Sequence, residues 1–204
     1  MCIIFWISIL AEIIILPLYF LSLEHKKLQQ KYGHEKGTKI GDLLGLISGW
    51  GFFIFLFGIW LSPQPRFTIP LLEGYSFIVP ILKFKIPLVH LIIFIPTIIL
   101  VLWLAFSGLR GVTLKVAETH RAERVVTTGI YAIVRHPQYL GSLFAHIAIS
   151  ILLSALYSLL LTPFLVIYIY LISWKEEKEL INEFGKDYDD YKAEVPMFIP
   201  KIKL

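Results

Sequence analysis

Two short polar clusters in this 204-residue sequence contain the residue types that could perform chemistry. The first cluster spans residues 127–139 and includes Arg135 and His136, and the second is 175–177, a lysine followed by two glutamates. Pro137 suits the first position of a helix, where its missing N–H costs nothing, so Arg135 and His136 are expected at a helix N-terminus. Such an end attracts anions, and paired carboxylates attract cations. Together the clusters suit a zwitterionic ligand.

The apolar stretches 139–154 and 156–173 separate the two clusters and meet near Ser154. As a hairpin of two membrane-crossing helices, they return the chain to the side it left, which makes the clusters neighbours. The opposing interpretation is that arginine, histidine and glutamate next to apolar helices are ordinary interfacial anchors. Composition alone leaves both interpretations open.

The residue patterns of both clusters resemble the signatures of a known family. Residues 128–141 resemble the Gly-x-Tyr-x3-Arg-His-Pro-x-Tyr-x-Gly signature of the isoprenylcysteine carboxyl methyltransferase and phospholipid methyltransferase superfamily. Residues 176–200 resemble that superfamily's C-terminal block. The resemblance covers roughly residues 110–204, and the N-terminal part matches only in being hydrophobic.

The resemblance implies an integral membrane methyltransferase that binds S-adenosylmethionine at the cytosolic membrane face. Its acceptor would be a lipid or another membrane-partitioned molecule. Glu176 and Arg135 are the implied catalytic residues, and Glu176 would orient or deprotonate the acceptor. Contact with the cofactor is implied for Arg124, Val125, Val126, Tyr131, His136, Pro137, Gln138, Tyr139 and Glu176.

A departure from the family pattern concerns the acceptor. The carboxyl methyltransferases of the family have an arginine four residues before the glutamate that matches Glu176, one helical turn away, where it can pair with the acceptor carboxylate. This chain has Ile172 there, and Lys175 lies nearby on a different helix face. Ile172 and Lys175 are therefore the candidate acceptor-binding positions, and an isoprenylcysteine-type carboxylate is one candidate acceptor among others.

Two other functions stay open. A sterol-type membrane reductase using NADPH has a similar C-terminal hairpin, but it needs clustered basic residues for the 2′-phosphate, which are not obvious here. A non-catalytic membrane scaffold or sensor of the same fold is consistent with the missing arginine.

The composition predicts the fold class that must position these residues. The chain is 57% hydrophobic with a mean hydropathy of +0.74, above the usual apolar share of soluble domains. The apolar residues form blocks that suit five spanning helices in an all-α integral membrane protein, namely 1–22, 43–61, 86–109, 139–154 and 156–173. The proline-rich connection 63–86 is predicted to be an interfacial loop. Residues 1–110 and 111–204 are expected to form one integrated domain.

After the last span the sequence becomes charged. Leu180, Phe184, Tyr188 and Tyr191 recur at helical spacing, which predicts an amphipathic cytoplasmic C-terminal helix. Its aromatic stripe is expected to dock on the membrane surface.

Basic residues predict the orientation. Sixteen of the 19 lie on one side of the five spans, and only Arg66, Lys83 and Lys85 lie on the other. The positive-inside rule then places the N-terminus outside and the C-terminus and the candidate site in the cytoplasm.

The same residues argue against several other classes of site. The single cysteine, Cys2, excludes a Cys-rich metal site. His90 and His146 each stand alone in apolar helices and are expected to pack, so no metal site is predicted. No basic run with interleaved aromatics points to nucleic acid. Glu12 inside the first span suits either a functional intramembrane carboxylate or a helix contact.

Overall fold

Helices make up most of the residues that the computed structural model describes, which are 3–72, 74–79, 84–112 and 124–201. Three of them are long and apolar enough to cross a membrane, namely α1 (Ile3–Leu23), α3 (His34–Leu61) and α4 (Leu88–Gly111). Only 22%, 28% and 17% of their most apolar windows are buried inside the protein. Such long exposed apolar faces need a lipid environment, so the chain is a membrane protein.

The other elements are shorter or partly polar. They are α2 (His25–Tyr32), β1 (Ser76–Val79), β2 (Phe84–Pro87), a 3-10 helix (Gly129–Ala132), α5 (Pro137–Leu152), α6 (Leu156–Leu160), α7 (Thr162–Phe184) and α8 (Lys186–Glu194). With 16 residues, α5 is about 24 Å long, and the second half of α7 is charged. Neither helix therefore meets the length and composition of a spanning helix by itself, and the number of five spans stays a prediction.

Small residues let α1 and α3 pack closely. A Cβ added at Gly58 would lie 2.3 Å from Ser8 Oγ, and one added at Gly51 would lie 2.5 Å from Ile15 Cδ1. Because residue numbers rise along α1 as they fall along α3, the two helices are antiparallel. Small residues at membrane helix interfaces allow this close approach of two backbones.

Hydrogen bonds join the turn after α5 to the loop after α3. Phe67 N–H donates to the carbonyl of Ser154 at 3.1 Å, and Leu156 N–H donates to the carbonyl of Pro65 at 3.2 Å. The turn thus falls at Ser154, where the two apolar stretches of the sequence meet. α5 therefore ends beside the loop that follows α3.

The two solitary histidines lie near this end and pack. Trp60 Nε1 donates to His146 Nδ1 at 3.1 Å, and His146 Nε2 lies 3.0 Å from the carbonyl of Ser158. His90 accepts from the backbone N–H of Ile69 at 3.4 Å through Nε2. No group of three potential ligands is placed to hold a metal ion within the described residues.

The connection between α3 and α4 contains a short antiparallel hairpin, with Ser76 opposite Pro87 and Phe77 opposite Ile86. The sequence predicts only an interfacial loop here. Strands of four residues are too short to show a convincing alternation, and the surrounding prolines argue against a strand.

The aromatic stripe after the last span points inward, so its predicted docking on the membrane surface is wrong for two of its members. Tyr188 and Tyr191 are only 4% and 7% exposed and pack with Val195 and Val125. The reason is Gly185, whose φ of +57° ends α7 and turns α8 back onto the segment around Val125. These tyrosines cover the candidate site instead of the bilayer.

Candidate functional site

The backbone around the first cluster is held by the C-terminal segment. His136 is at the N-cap position of α5 without a side-chain capping hydrogen bond, and Pro137 is the first residue of the helix, as the sequence predicts. Arg135 N–H donates to the carbonyl of Pro196 at 3.0 Å, and His136 N–H donates to the carbonyl of Met197 at 3.2 Å. The two family signatures therefore meet through the main chain as well as through side chains.

Glu177 is the centre of a buried ion cluster and is only 1% exposed. Its Oε1 accepts from Arg135 Nε at 2.7 Å and lies 3.1 Å from His136 Nε2, while its Oε2 lies 3.1 Å from Lys192 Nζ. Burial opposes ionisation of this carboxyl, but hydrogen bonds from His136 and Arg135 outweigh it and lower the pKa of Glu177 to about 2. The sequence predicts that the start of α5 attracts an anion, and in the structure that anion is the carboxylate of Glu177.

Glu176 occupies a different environment, on the cavity side of the same helix. Its Oε2 accepts from the Tyr139 hydroxyl at 2.9 Å and lies 3.8 Å from His136 Nδ1. Tyr139 is in turn hydrogen-bonded to Tyr19 of α1. Burial raises the pKa of Glu176 above its ordinary value, against the opposing effects of His136 and Tyr139. Adjacent carboxyls are therefore pushed in opposite directions, a common feature of functional sites.

A cavity of about 240 Å³ opens beside Glu176. One part of its wall is the predicted cofactor segment, and another part is an apolar surface from α3 and α7. Every predicted cofactor contact lines it, together with Arg135 and Ile172: Arg124, Val125, Val126, Tyr131, Arg135, His136, Pro137, Gln138, Tyr139, Ile172 and Glu176.

Lys175 is the one predicted site residue placed elsewhere. It is absent from the described lining of the cavity, and its ammonium pairs with Glu24 at 3.1 Å and Glu179 at 2.9 Å. The position that matches the family's arginine, Ile172, does face the cavity, but with an aliphatic side chain.

Arg135 lines the cavity, yet its guanidinium is engaged with the protein. Besides Glu177, it donates to the carbonyls of Lys192 and Val195. These contacts tie α7 to the end of α8. The catalytic role of Arg135 stays a prediction, whereas its hydrogen bonds show that it holds these two helices together.

Several lining residues were not predicted from the sequence. They come from α1, α3, the ends of α4 and α5, α7 and α8: Tyr19, Ser48, Gly49, Phe52, Phe53, Val112, Ser142, Tyr168, Ile169, Leu180, Tyr188 and Tyr191. Tyr188 and Tyr191 had a signal in the helical stripe. The residues of α1 and α3 had none, since only the packing of these helices against α7 brings them to the site.

Comparison with known proteins assigns the family. The family model described as "Phospholipid methyltransferase" matches residues 87–187, about half of the chain. The chain belongs to the isoprenylcysteine carboxyl methyltransferase and phospholipid methyltransferase superfamily. The match includes Tyr131 through Tyr139 and both glutamates of the site, excludes α1 and α3, and ends two residues into α8.

Curated relatives in this superfamily carry methyltransferase names. The chain is 33% identical to a protein-S-isoprenylcysteine O-methyltransferase of Xenopus laevis over 42% of the chain and 30% of the relative. The corresponding enzyme of Schizosaccharomyces pombe is 37% identical over 42% and 37%. A methanethiol S-methyltransferase of Bradyrhizobium diazoefficiens is 37% identical over 36% and 27%. The matches thus span about a third of the length of these relatives. No solved structure matches the chain at a significant level.

Proposed function

We propose that the protein is an S-adenosylmethionine-dependent methyltransferase that acts on a lipid or another membrane-partitioned acceptor. The observation that carries this proposal is the composition of the cavity wall. Polar groups of the family signature, such as His136 and Glu176, share one cavity with Phe52 and Phe53 of α3. A charged cofactor and an apolar acceptor can therefore meet in one place, at the predicted cytoplasmic face.

The residues present fit S-adenosylmethionine. The buried amide nitrogen of Gln138 has no hydrogen-bond partner in the described part of the chain, which leaves a donor in the cavity wall for a ligand. Arg124 adds a cation for a carboxylate, and the Glu176 carboxylate suits a sulfonium. Tyr131 and Tyr188 provide aromatic surface. S-adenosylmethionine, when bound, supplies an electrophilic methyl group.

The chain's own contribution is alignment and exclusion of water. Glu176 would hold the positive end of the donor and accept the acceptor's proton at a carboxylate oxygen, and burial raises its pKa toward the range useful for a base. Tyr188 and Tyr191 cover the cavity from the C-terminal side, while Ile169 and Ile172 provide an apolar wall for the acceptor. Positioning of two reactants in this way removes a large entropic part of the barrier.

The acceptor class follows only partly from the relatives. Their names point to an isoprenylcysteine carboxylate or to a small thiol. A carboxylate needs a cation near the reacting atom, and Ile172 offers none while Lys175 is paired with Glu24 and Glu179. An isoprenylcysteine-type carboxylate therefore stays one candidate acceptor, although Ile172 stands where the family has its arginine.

Calorimetry on detergent-purified protein tests the proposal. Wild type is titrated with S-adenosylmethionine and with NADPH, beside Glu176→Ala, His136→Ala and the exposed control Glu183→Ala. We expect saturable binding of S-adenosylmethionine by wild type and the control and at least tenfold weaker binding by the two site variants. Folded wild type that binds NADPH, or neither ligand, would overturn the proposal in favour of a reductase or a scaffold.

Transfer is then measured with methyl-labelled S-adenosylmethionine. Separate reactions contain a farnesylated cysteine, a long-chain thiol and phosphatidylethanolamine vesicles, and the label is followed into the organic phase. We expect label in at least one acceptor and none with Glu176→Ala. Binding of the cofactor without transfer to any of the three would contradict this range of acceptors.

A further inference from the structure

A chain of hydrogen bonds leads from α1 to the site carboxylate. The Tyr139 hydroxyl donates to Glu176 Oε2 at 2.9 Å, and the hydroxyls of Tyr19 and Tyr139 are hydrogen-bonded to each other. An ionised carboxylate can only accept, so the single proton of Tyr139 is used toward Glu176. Tyr19 must then be the donor to the oxygen of Tyr139. The carboxylate of Glu176 thus determines which hydroxyl is the donor in each of the two hydrogen bonds.

Tyr19 is held firmly in this place. It is only 4% exposed and forms a buried cluster with Leu23 and Ile172, against which Tyr139 also packs. It belongs to α1, outside residues 87–187 that match the family, so nothing in the family match assigns it a role. It also lines the cavity beside Glu176.

We propose that Tyr19 is a positioning residue for Glu176, acting through the hydroxyl of Tyr139. The proposal rests on the proposed function, because it concerns the carboxylate that would face the sulfonium. Tyr19 polarises the hydroxyl of Tyr139, and a polarised phenol is a stronger donor to the carboxylate. The N-terminal helix thereby tunes the charge of a residue in the C-terminal half.

The consequence is a measurable pH dependence. The hydrogen bond from Tyr139 lowers the pKa of Glu176 and burial raises it. Other charged and titratable groups face Glu176 and are unchanged in the variants below: His136, Glu177, Tyr131 and Tyr188. A weaker donor opposes burial less, so the pKa of Glu176 rises further and the ionised form, which attracts a sulfonium, should require a higher pH.

The experiment compares two ligands of nearly the same shape. S-adenosylmethionine carries a sulfonium and S-adenosylhomocysteine carries an uncharged thioether, so the ratio of their affinities reports the charge of Glu176. Calorimetric titrations from pH 5 to 9 give the midpoint of this ratio. We expect Tyr19→Phe to raise the midpoint by at least about 0.5 pH unit and Tyr139→Phe by about 1 unit or more. Tyr32→Phe, on the exposed face of α2, should leave it unchanged.

The double variant distinguishes an indirect role from a direct one. If Tyr19 acts through Tyr139, Tyr19→Phe combined with Tyr139→Phe should have the midpoint of Tyr139→Phe alone. Additive shifts would mean that Tyr19 contacts the ligand independently, and no shift in Tyr19→Phe would mean that it only packs. Either result overturns the proposal.

A substitution that keeps the hydroxyl of Tyr19 guards against misfolding. Monofluorotyrosine at position 19 is a stronger donor than tyrosine and stays protonated over more of this pH range than a difluorinated ring, so it should lower the midpoint, opposite to Tyr19→Phe. A midpoint equal to that of wild type would contradict the proposal even if Tyr19→Phe does not fold. Wild type that binds S-adenosylhomocysteine and S-adenosylmethionine with the same pH dependence would overturn the role of Glu176 as well. Binding of neither ligand would overturn the proposed function itself.

Discussion

At the residue scale, the two adjacent glutamates have different surroundings. Glu177 is buried and bonded to Arg135, His136 and Lys192, while Glu176 faces the cavity with a raised pKa. Buried carboxylates of this kind hold structure only as long as every partner is present. The first glutamate of the pair is therefore available for a ligand because the second one holds the surrounding cations.

Glu177→Gln should destabilise the protein. The change leaves the Arg135 guanidinium, 7% exposed, without its counter-ion, at a cost of about 3 kcal/mol. We expect a lower melting temperature in detergent and an unchanged one for the exposed control Glu183→Gln. Equal melting temperatures for all three proteins would contradict the structural role of Glu177.

The lowered pKa of Glu177 predicts that the protein loses folding stability in acid. The folded pKa of Glu177 lies at about 2, below its ordinary 4.5, so its stabilising contribution is complete above pH 4.5 and is lost as the pH falls toward 2. Thermal unfolding measured from pH 7 to 2.5 should show wild type losing stability below pH 4.5 more steeply than Glu177→Gln. Parallel curves would show that another group causes the acid sensitivity.

Glu12, in contrast to Glu177, is a buried carboxyl group without hydrogen-bond partners for either oxygen in the described part of the chain. Such a group costs about 1–3 kcal/mol, so Glu12→Leu should raise the melting temperature, whereas Glu12→Gln, which keeps a polar group there, should change it less. A lower melting temperature for Glu12→Leu would mean that the carboxyl serves a contact in the bilayer.

The site residues divide into those that a sequence can indicate and those that it cannot. The family signatures indicated His136, Tyr139 and Glu176 from the sequence. In the structure the three side chains lie within contact distance of one another. Tyr19 and Phe52 had no such signature, because their role exists only after α1 and α3 pack on α7. Lys175 was indicated by nearness in sequence and is turned toward Glu24 instead.

At the scale of elements, the end of α4 packs against the predicted cofactor segment, residues 124–139. A Cβ added at Gly111 would lie 2.6 Å from Tyr131 Cε2 and 3.3 Å from Val126 Cγ1. The absent side chain is thus what allows the segment before α5 to lie against the end of α4. Gly141 on α5 provides a comparison, since a Cβ there would meet Leu104 Cβ at an ordinary 3.5 Å.

Gly111→Ala should therefore weaken the binding of S-adenosylmethionine about tenfold, or about 1.4 kcal/mol, because it displaces Tyr131. Gly141→Ala should leave affinity unchanged and stabilise α5 slightly, since alanine favours a helix over glycine. Calorimetry and thermal unfolding of both variants check this. An equal loss of affinity in both would indicate general disturbance of the α4–α5 contact.

Apolar blocks predicted the helices well and their ends less well. α4 begins at Leu88, close to the predicted 86, because a proline precedes the apolar run. α3 begins at His34, well before the predicted 43, since its polar first turns pack against α2, which a hydropathy pattern does not show. The direction of α8 depended on the backbone of Gly185, and the sequence offered no sign of which way it would turn.

At the scale of the whole molecule, polar contacts join the family-matched half to the helices before it. Lys26 Nζ donates to the carbonyl of Asn182 at 2.7 Å, Lys175 pairs with Glu24, and Tyr19 reaches Tyr139. These contacts all lie at the end of the bundle that holds the site. That residues 1–110 and 111–204 form one integrated domain stays a prediction.

The predicted orientation of the whole molecule in the membrane can be tested by labelling single cysteines. The loop at Thr68 lies at one end, next to the turn at Ser154, while Lys36 and Asp189 belong to the strongly basic end. Single cysteines at these three positions, in a Cys2→Ser background, can be labelled with a membrane-impermeant maleimide. We expect Thr68→Cys to react in intact cells, and Lys36→Cys and Asp189→Cys to react only after permeabilisation.

Each result has a distinct meaning, because four predicted spans separate Lys36 from Asp189. Labelling of both only after permeabilisation requires an even number of crossings between them and a cytoplasmic site. Labelling of Asp189→Cys but not Lys36→Cys in intact cells would mean that α5 and α7 do not both cross, and the count of five would fail. Labelling of both in intact cells would keep the five spans but invert them, which would place the cavity and its supply of S-adenosylmethionine on the wrong side for the proposed function.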